Sequence, residues 1–231
     1  MKFEKNKILI FSYDDGVTQD ERLIGIMNKY GIKGTFNINS KRLGSHDELV
    51  REGVTVLHHK FNPEDVRRIY SGHEIAGHTL THPRLPDMPS DEDVIRQVEE
   101  DRRNLSELAG YEVTSFAYPC GGVNNDGRVA DIIKKNTGIK YARTITSTHA
   151  FSAQDELFRF NPSVYYIEEN LEEIIDSFLA LKTDEPALLY IWGHSYEMDY
   201  GADDWVRLEE FFQLISNRKD IFYGTNREVL L

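Results

Sequence analysis

Short apolar runs recur along the whole chain, and most are followed by a helical segment that carries its own start signal. Runs with strand composition fall at 7–13, 34–39, 73–77, 115–118, 141–145, 162–167, 187–192 and 221–223. Between them the helix signals are capping residues. Thr18 with Glu21, and Thr225 with Glu228, read as capping boxes, and Asn62 followed by Pro63 reads as a helix start. Ser90 and Asp93 open the longest helix, which runs to about Leu108 with Gly110 as its stop. Asn170 caps a helix over 171–181, and Asp203 or Asp204 starts one that reaches Ser216. Strands that alternate with helices favour a parallel sheet, because a parallel neighbour needs a crossover long enough to hold a helix. Seven or eight such strands predict a parallel (β/α) barrel or an open doubly wound sheet, and in both the C-terminal strand ends share one rim.

No linker, repeat or low-complexity tract divides the 231 residues, and 40% apolar content suffices for a substantial core, so one domain over 1–231 is expected. The balance of 27 basic and 39 acidic residues gives −12, which argues against nucleic acid or an anionic membrane as the main partner. A neutral substrate fits better. No stretch approaches the ~20 apolar residues of a membrane span. The apolar run 8–11 is far short of the ~7–15-residue core of a signal peptide, so a cytoplasmic location is expected. Cys120 is the only cysteine, which excludes an intramolecular disulfide.

The strand ends carry the chemistry. Asp14 and Asp15 close the first strand in SYDDG, 12–16, where two adjacent carboxylates resist desolvation unless a cation joins them. His78 and His82 follow another strand in GHEIAGHTLTHPRL, FAYPCGG ends a third, and LLYIWGHSYE delivers His194. His78 and His82 are four apart, so a single helical turn would put both imidazoles on one side. One carboxylate and two imidazoles make a ligand set for a borderline divalent metal, with positions left open for water and substrate. Each piece has a plainer reading by itself: Asp-Asp-Gly as a turn, His-x-x-x-His as chance, His194 as a structural residue. Their arrangement, each at the end of its own strand, points to a catalytic site.

These motifs together resemble the polysaccharide deacetylases of the NodB-homology type, carbohydrate esterase family 4, from residue 8 to about 223. The resemblance implies an irregular parallel (β/α) barrel of about seven strands (NodB-like). It implies one divalent ion, Zn²⁺ first with Co²⁺ or Ni²⁺ as alternatives. The implied activity removes acetyl groups from N-acetylated or O-acetylated sugars by metal-activated water, with an acetylated sugar or oligosaccharide as partner. By the same likeness Asp14 is the general base, Asp15, His78 and His82 hold the metal, and His194 is the general acid. Cys120 offers its backbone N–H to the oxyanion, not its thiol, and Pro119, Tyr118, Trp192 and Leu189 border the substrate.

The chain departs from that pattern at one place. An arginine commonly stands two residues before the proline of the third motif, and here the position is Ala117. Arg143, at the next strand end, is the candidate replacement to orient the base, with an ordinary surface arginine as the alternative. Tyr196, Glu197 and Asp199 either flank or orient His194 or begin a solvated loop. His58 and His59, like His46 and His149, are expected in surface loops. Asn37 and Asn39 share one strand face, lining the cleft or buried as structural residues. Tyr165, Tyr166, Trp192 and Trp205 either stack on sugar or belong to the core. Two other functions remain open: hydrolysis of small cyclic amides or ureides on the same fold, and carbohydrate binding by a catalytically lapsed protein.

Overall fold

The computed structural model describes residues 5–231; residues 1–4, part of the stretch read for a leader, lie outside the described residues. In chain order the strands are β1 (Lys7–Asp14), β2 (Thr35–Ile38), β3 (His46–Arg51), β4 (Val54–His59), β5 (Glu74–Gly77), β6 (Ser115–Ala117), β7 (Tyr141–Arg143), β8 (Val164–Tyr165), β9 (Ala187–Gly193) and β10 (Ile221–Gly224). The helices are α1 (Asp20–Lys29), α2 (Val66–Ile69), α3 (Asp91–Ile95), α4 (Asp101–Ala109), α5 (Gly127–Asn136), α6 (Leu171–Ala180), α7 (Asp204–Ile215) and α8 (Asn226–Leu230).

The main sheet runs β7-β6-β5-β2-β1-β9-β8, parallel throughout, with β10 added beside the first half of β1. A single parallel bridge between Arg143 and Phe160 ties the segment before β8 back to β7, so the sheet curls round on itself. This is the irregular parallel barrel that the sequence motifs imply. Among the described residues, no helix is long and apolar enough to cross a membrane.

Side chains alternate across each strand, and that period decides what reaches the site. Leu9, Phe11, Tyr13, Phe36, Ile75, Leu189 and Ile191 face outward into one core with Leu23, Phe178 and Phe212 of the surrounding helices. Leu189 therefore belongs to this outer core and does not border the substrate. The opposite face points inward. At its lower end Ile8, Ile10, Tyr141, Leu188 and Tyr190 pack with Val229 and Leu230 of α8. The Thr225 and Glu228 capping box starts α8 as expected, and Asn226 Nδ2 donates to the Tyr190 hydroxyl at 2.7 Å. Two to four residues further along the strands, the same inward face carries Ser12, Asp14, Asn37, Arg143 and Trp192.

Local departures have identifiable causes. The Thr18–Glu21 box does not form: α1 starts one residue later, capped by Gln19 without a side-chain bond. The Thr18 backbone is engaged instead, donating to the His59 carbonyl at 2.8 Å. The long helix opened by Ser90 is α3 and α4 joined by a π-turn, Arg96–Glu100, and Gly110 ends it at φ +79°. Helix α5 has no counterpart among the signals above, although Asp126 caps it by accepting from Val129 N at 2.7 Å.

The largest departure is the antiparallel hairpin β3–β4, inserted between β2 and β5. Glu52 and Gly53 both take positive φ (52° and 82°), the requirement of a two-residue hairpin turn that matches strand twist. His58 and His59 are strand residues, not loop residues.

Candidate active site

Asp14, at the end of β1, is 2% exposed. Arg143 Nη2 donates to both of its carboxylate oxygens at 2.5 Å, and Asn37 Nδ2 donates to Oδ1 at 2.8 Å. Burial pushes the Asp14 carboxyl up, but the Arg143 guanidinium, with His78 and His194, outweighs it and holds the group below the usual carboxylate range. Arg143 is fully buried, so it is not a surface residue. Its strand partner in the β6–β7 register is Ala117, the position where the resembling family carries its motif arginine. The guanidinium thus enters from the adjacent strand at the same level. It lies 4.6 Å from the Trp192 ring, which stacks on Tyr165 on centroids 4.2 Å apart. Held between them, Trp192 has no free face for a sugar.

Asp15 turns the other way, with φ +83°. Its Oδ1 lies 3.8 Å from His78 Nε2 and 3.5 Å from His82 Nε2. The three residues offer ligand atoms within 4.8 Å of one another. His78 Nδ1 can only donate to the Ala117 carbonyl, at 2.8 Å, which leaves the Nε2 lone pair facing Asp15. Burial lowers both imidazoles, His82 to about 4, so they are neutral as ligands must be. The Asp15 carboxyl stands well below the usual range, because Lys60 and the hydrogen bond from His58 overcome the cost of burial. The donor set and its spacing fit one divalent ion. Asp15, His78 and His82 would hold it, and the 30%-exposed His82 side chain marks the open side.

The His78–His82 segment is not the helical turn its spacing suggests. Thr79 and His82 both have positive φ (71° and 65°), which no right-handed turn accommodates. Buried groups hold this loop in place. Asp101 accepts from Ser40 N at 2.8 Å and His78 N at 3.0 Å, and Asn39 Nδ2 bonds the His78 and Thr79 carbonyls at 2.5 and 3.0 Å. Within the π-turn, the Gln97 carbonyl accepts from Leu80 N at 3.0 Å. Asp15, Thr79, His82 and Cys120 (φ +69°) are four non-glycine residues in the left-handed region around one site, each at a cost of order 1–3 kcal/mol.

His194 lies beyond β9, on the inward face. Its Nδ1 is 3.4 Å from Glu197 Oε2 and 3.3 Å from the Tyr165 hydroxyl, which itself donates to Glu197 Oε1. Nε2 is the nitrogen left for a ligand. Burial alone would lower the imidazole, but Glu197, then Asp15 and Asp14, raise it to about 9. Glu197 therefore adjoins the histidine instead of starting a solvated loop. Asp199 is engaged elsewhere, accepting from Trp205 Nε1 and Gln19 Nε2, each at 2.7 Å. Trp205, covered by Arg22, is core.

Cys120 and Pro119 stand at this rim, but the Tyr118 side chain is fully buried on the outer face, its hydroxyl donating to the Phe158 carbonyl at 2.8 Å. Tyr118 can border a substrate only through its backbone. The Cys120 thiol lies 3.6 Å from His82 Nδ1 and 3.4 Å from the His82 carbonyl, so it touches the histidine as well. His58 is the residue that the sequence reading misplaces: it is buried, with Nε2 3.0 Å from Asp15 Oδ2. The available signal was the alternation Val54, Val56, His58, Lys60 after the Glu52-Gly53 turn. His149 is an exposed partner of Glu168, and His46 packs edge-on against His59 at the surface. A cavity of about 750 Å³ lies against α6 and α7; Tyr166 and Glu197 are among its lining, and no member of the metal cradle is.

Known proteins include relatives of this chain. Over 124 residues, 53% of this chain, it is 22% identical to the peptidoglycan-N-acetylmuramic acid deacetylase PdaC of Bacillus subtilis (strain 168), and the match spans 23% of that protein. A family 4 carbohydrate esterase from Streptomyces lividans, solved with acetate, superposes with a TM-score of 0.60 at 15% identity, covering 95% of this chain and 93% of the esterase. A family 4 acetyl xylan esterase from Clostridium thermocellum, solved with a cobalt ion, gives 0.57 at 15% identity over 96% and 89%. These two likenesses carry the fold. Residues 2–142, which bring in β1, the histidine loop and the FAYPCGG segment, match the family model described as polysaccharide deacetylase. The chain belongs to the polysaccharide deacetylase family.

Proposed function

We propose that this chain is a metal-dependent hydrolase that removes acetyl groups from an acetylated sugar or oligosaccharide. One observation carries the reading: an anionic Asp14 and a cationic His194 stand around a single Asp15–His78–His82 cradle. Both belong to the inward face of the barrel. Asp15, His78 and His82 would hold a divalent ion, Zn²⁺ first with Co²⁺ or Ni²⁺ as alternatives, which would supply Lewis acidity and lower the pKa of water from ~15.7 toward ~7.

Asp14 takes a proton from the attacking water. Arg143 makes it a weaker base and in exchange holds the carboxylate in one orientation together with Asn37. Cys120 donates its backbone N–H to the developing oxyanion. His194 gives its Nε2 proton to the leaving nitrogen or oxygen, with Glu197 keeping it charged until then. Arg143 on Asp14 also weakens the reading of a lapsed carbohydrate-binding protein, since the base has its cationic partner.

Purified protein is expected to carry about one divalent ion per chain. Exhaustive chelation should abolish release of acetate from an acetylated chito-oligosaccharide, and Zn²⁺, Co²⁺ or Ni²⁺ should restore it. Undiminished release after chelation would overturn the proposal.

A pH profile tests the acid. His194 must be protonated, so activity is present below its raised pKa, about 9 in the metal-free protein and lower with a cation on Asp15, and is lost as pH rises through it. Glu197→Gln removes the largest influence raising that pKa, and the basic limb of kcat/KM should move to lower pH by about one unit or more. An unmoved limb would assign the basic titration to another group.

A further inference from the structure

The hairpin β3–β4 is antiparallel, unlike the main sheet, and its second strand lies against the metal cradle. Val56 and His58 of β4, with Lys60 just beyond it, are buried on one side of the chain, while Leu57 between them is 48% exposed. A bridge between Val17 and Lys60 and the bond from Thr18 N to the His59 carbonyl fasten this strand to the segment after Asp15. Lys60 Nζ donates to the Asp15 backbone carbonyl at 2.6 Å. His58 Nε2 meets Asp15 Oδ2 at 3.0 Å, and Tyr196 packs edge-on against the His58 ring at 5.0 Å.

The Asp15 carboxylate is thus divided. Oδ1 faces His78 and His82, and Oδ2 faces His58. A carboxylate left free at both oxygens can rotate or bind a cation through either one. With one oxygen engaged by a donor, it presents the other in a fixed direction. Resting on the metal reading above, we propose that His58 is a positioning residue: it holds Oδ2 so that Asp15 binds its divalent ion through Oδ1 alone, and the hairpin thereby sets metal affinity.

Two polar substitutions isolate the contact. His58→Gln places an amide nitrogen near the position of the imidazole Nε2, within reach of Asp15. His58→Asn places it near Nδ1, too short to reach. Metal-free wild type and both variants are titrated with Co²⁺ in competition with a chelator, following the visible absorption of bound cobalt. The melting temperature of each metal-free protein is measured alongside.

His58→Asn is expected to bind Co²⁺ about 10–100-fold more weakly than wild type, with His58→Gln close to wild type and similar metal-free melting temperatures. Equal Co²⁺ affinities in the two variants, whether both unchanged or both weakened, would overturn the positioning role. Wild type that binds no Co²⁺ would overturn the metal reading itself and this inference with it. Normal wild-type binding with indifferent variants would overturn only the role of His58.

Discussion

Asp14→Asn is expected to keep its metal and lose about 10²–10⁴-fold in kcat, with no recovery at any concentration of added ion. The reason is geometric: Oδ1 is occupied by Asn37 and both oxygens by Arg143, while the cradle atoms of His78 and His82 converge on Asp15. Asp15→Asn removes the one charged ligand, so its defect should appear as weak metal binding that excess ion partly repairs. The substitutions are isosteric and adjacent. Metal content measured beside kcat at saturating ion separates them. Equal loss of metal in both variants would make Asp14 a ligand too, which its 4.0 Å approach to His78 Nε2 makes geometrically accessible. A fully active Asp14→Asn would contradict the proposed mechanism.

Arg143→Ala should damage both stability and rate. Arg143 is fully buried, and its removal leaves the Asp14 carboxylate without its cation inside the barrel. Breaking a buried pair from one side typically costs about 3–5 kcal/mol, because the remaining charge is unpaired. Denaturant unfolding of the metal-free protein measures that cost. The double variant Asp14→Asn, Arg143→Met removes both charges and keeps much of the volume. It should recover most of the stability and none of the activity. Full stability in Arg143→Ala would mean that water reaches Asp14 freely, against the burial of both residues.

Much of the candidate site was legible because its residues sit at local boundaries. Asp14, Asp15, His78, His82 and His194 follow apolar runs, and a parallel β/α arrangement gathers strand ends at one rim whatever the loop details. The inward or outward direction of each side chain follows from alternation once the strands are paired. That alternation sends Asp14 and Trp192 inward, and Leu189 and Tyr118 outward. The family likeness sets the outward pair beside the substrate, but their side chains point into the outer cores, since being next to Pro119 or close to Trp192 in the chain does not fix which face a residue takes.

What local pattern could not supply was every contact made across sequence distance. The backbone of His78–His82 follows from Asp101, Asn39 and a π-turn carbonyl, which override the helical spacing of its two histidines. Arg143 reads as a base-orienting replacement or an ordinary surface arginine with equal ease until the β6–β7 register sets it beside Ala117 and over Asp14. His58 becomes part of the site only when the hairpin folds back on the loop after β1, 43 positions away in the chain. The sequence by itself determined the β/α order and the motifs, since capping and hydrophobic period act within a few residues. Tertiary structure alone decided how Asp14 and Asp15 are held apart, because the charges that do so come from strands the chain reaches much later.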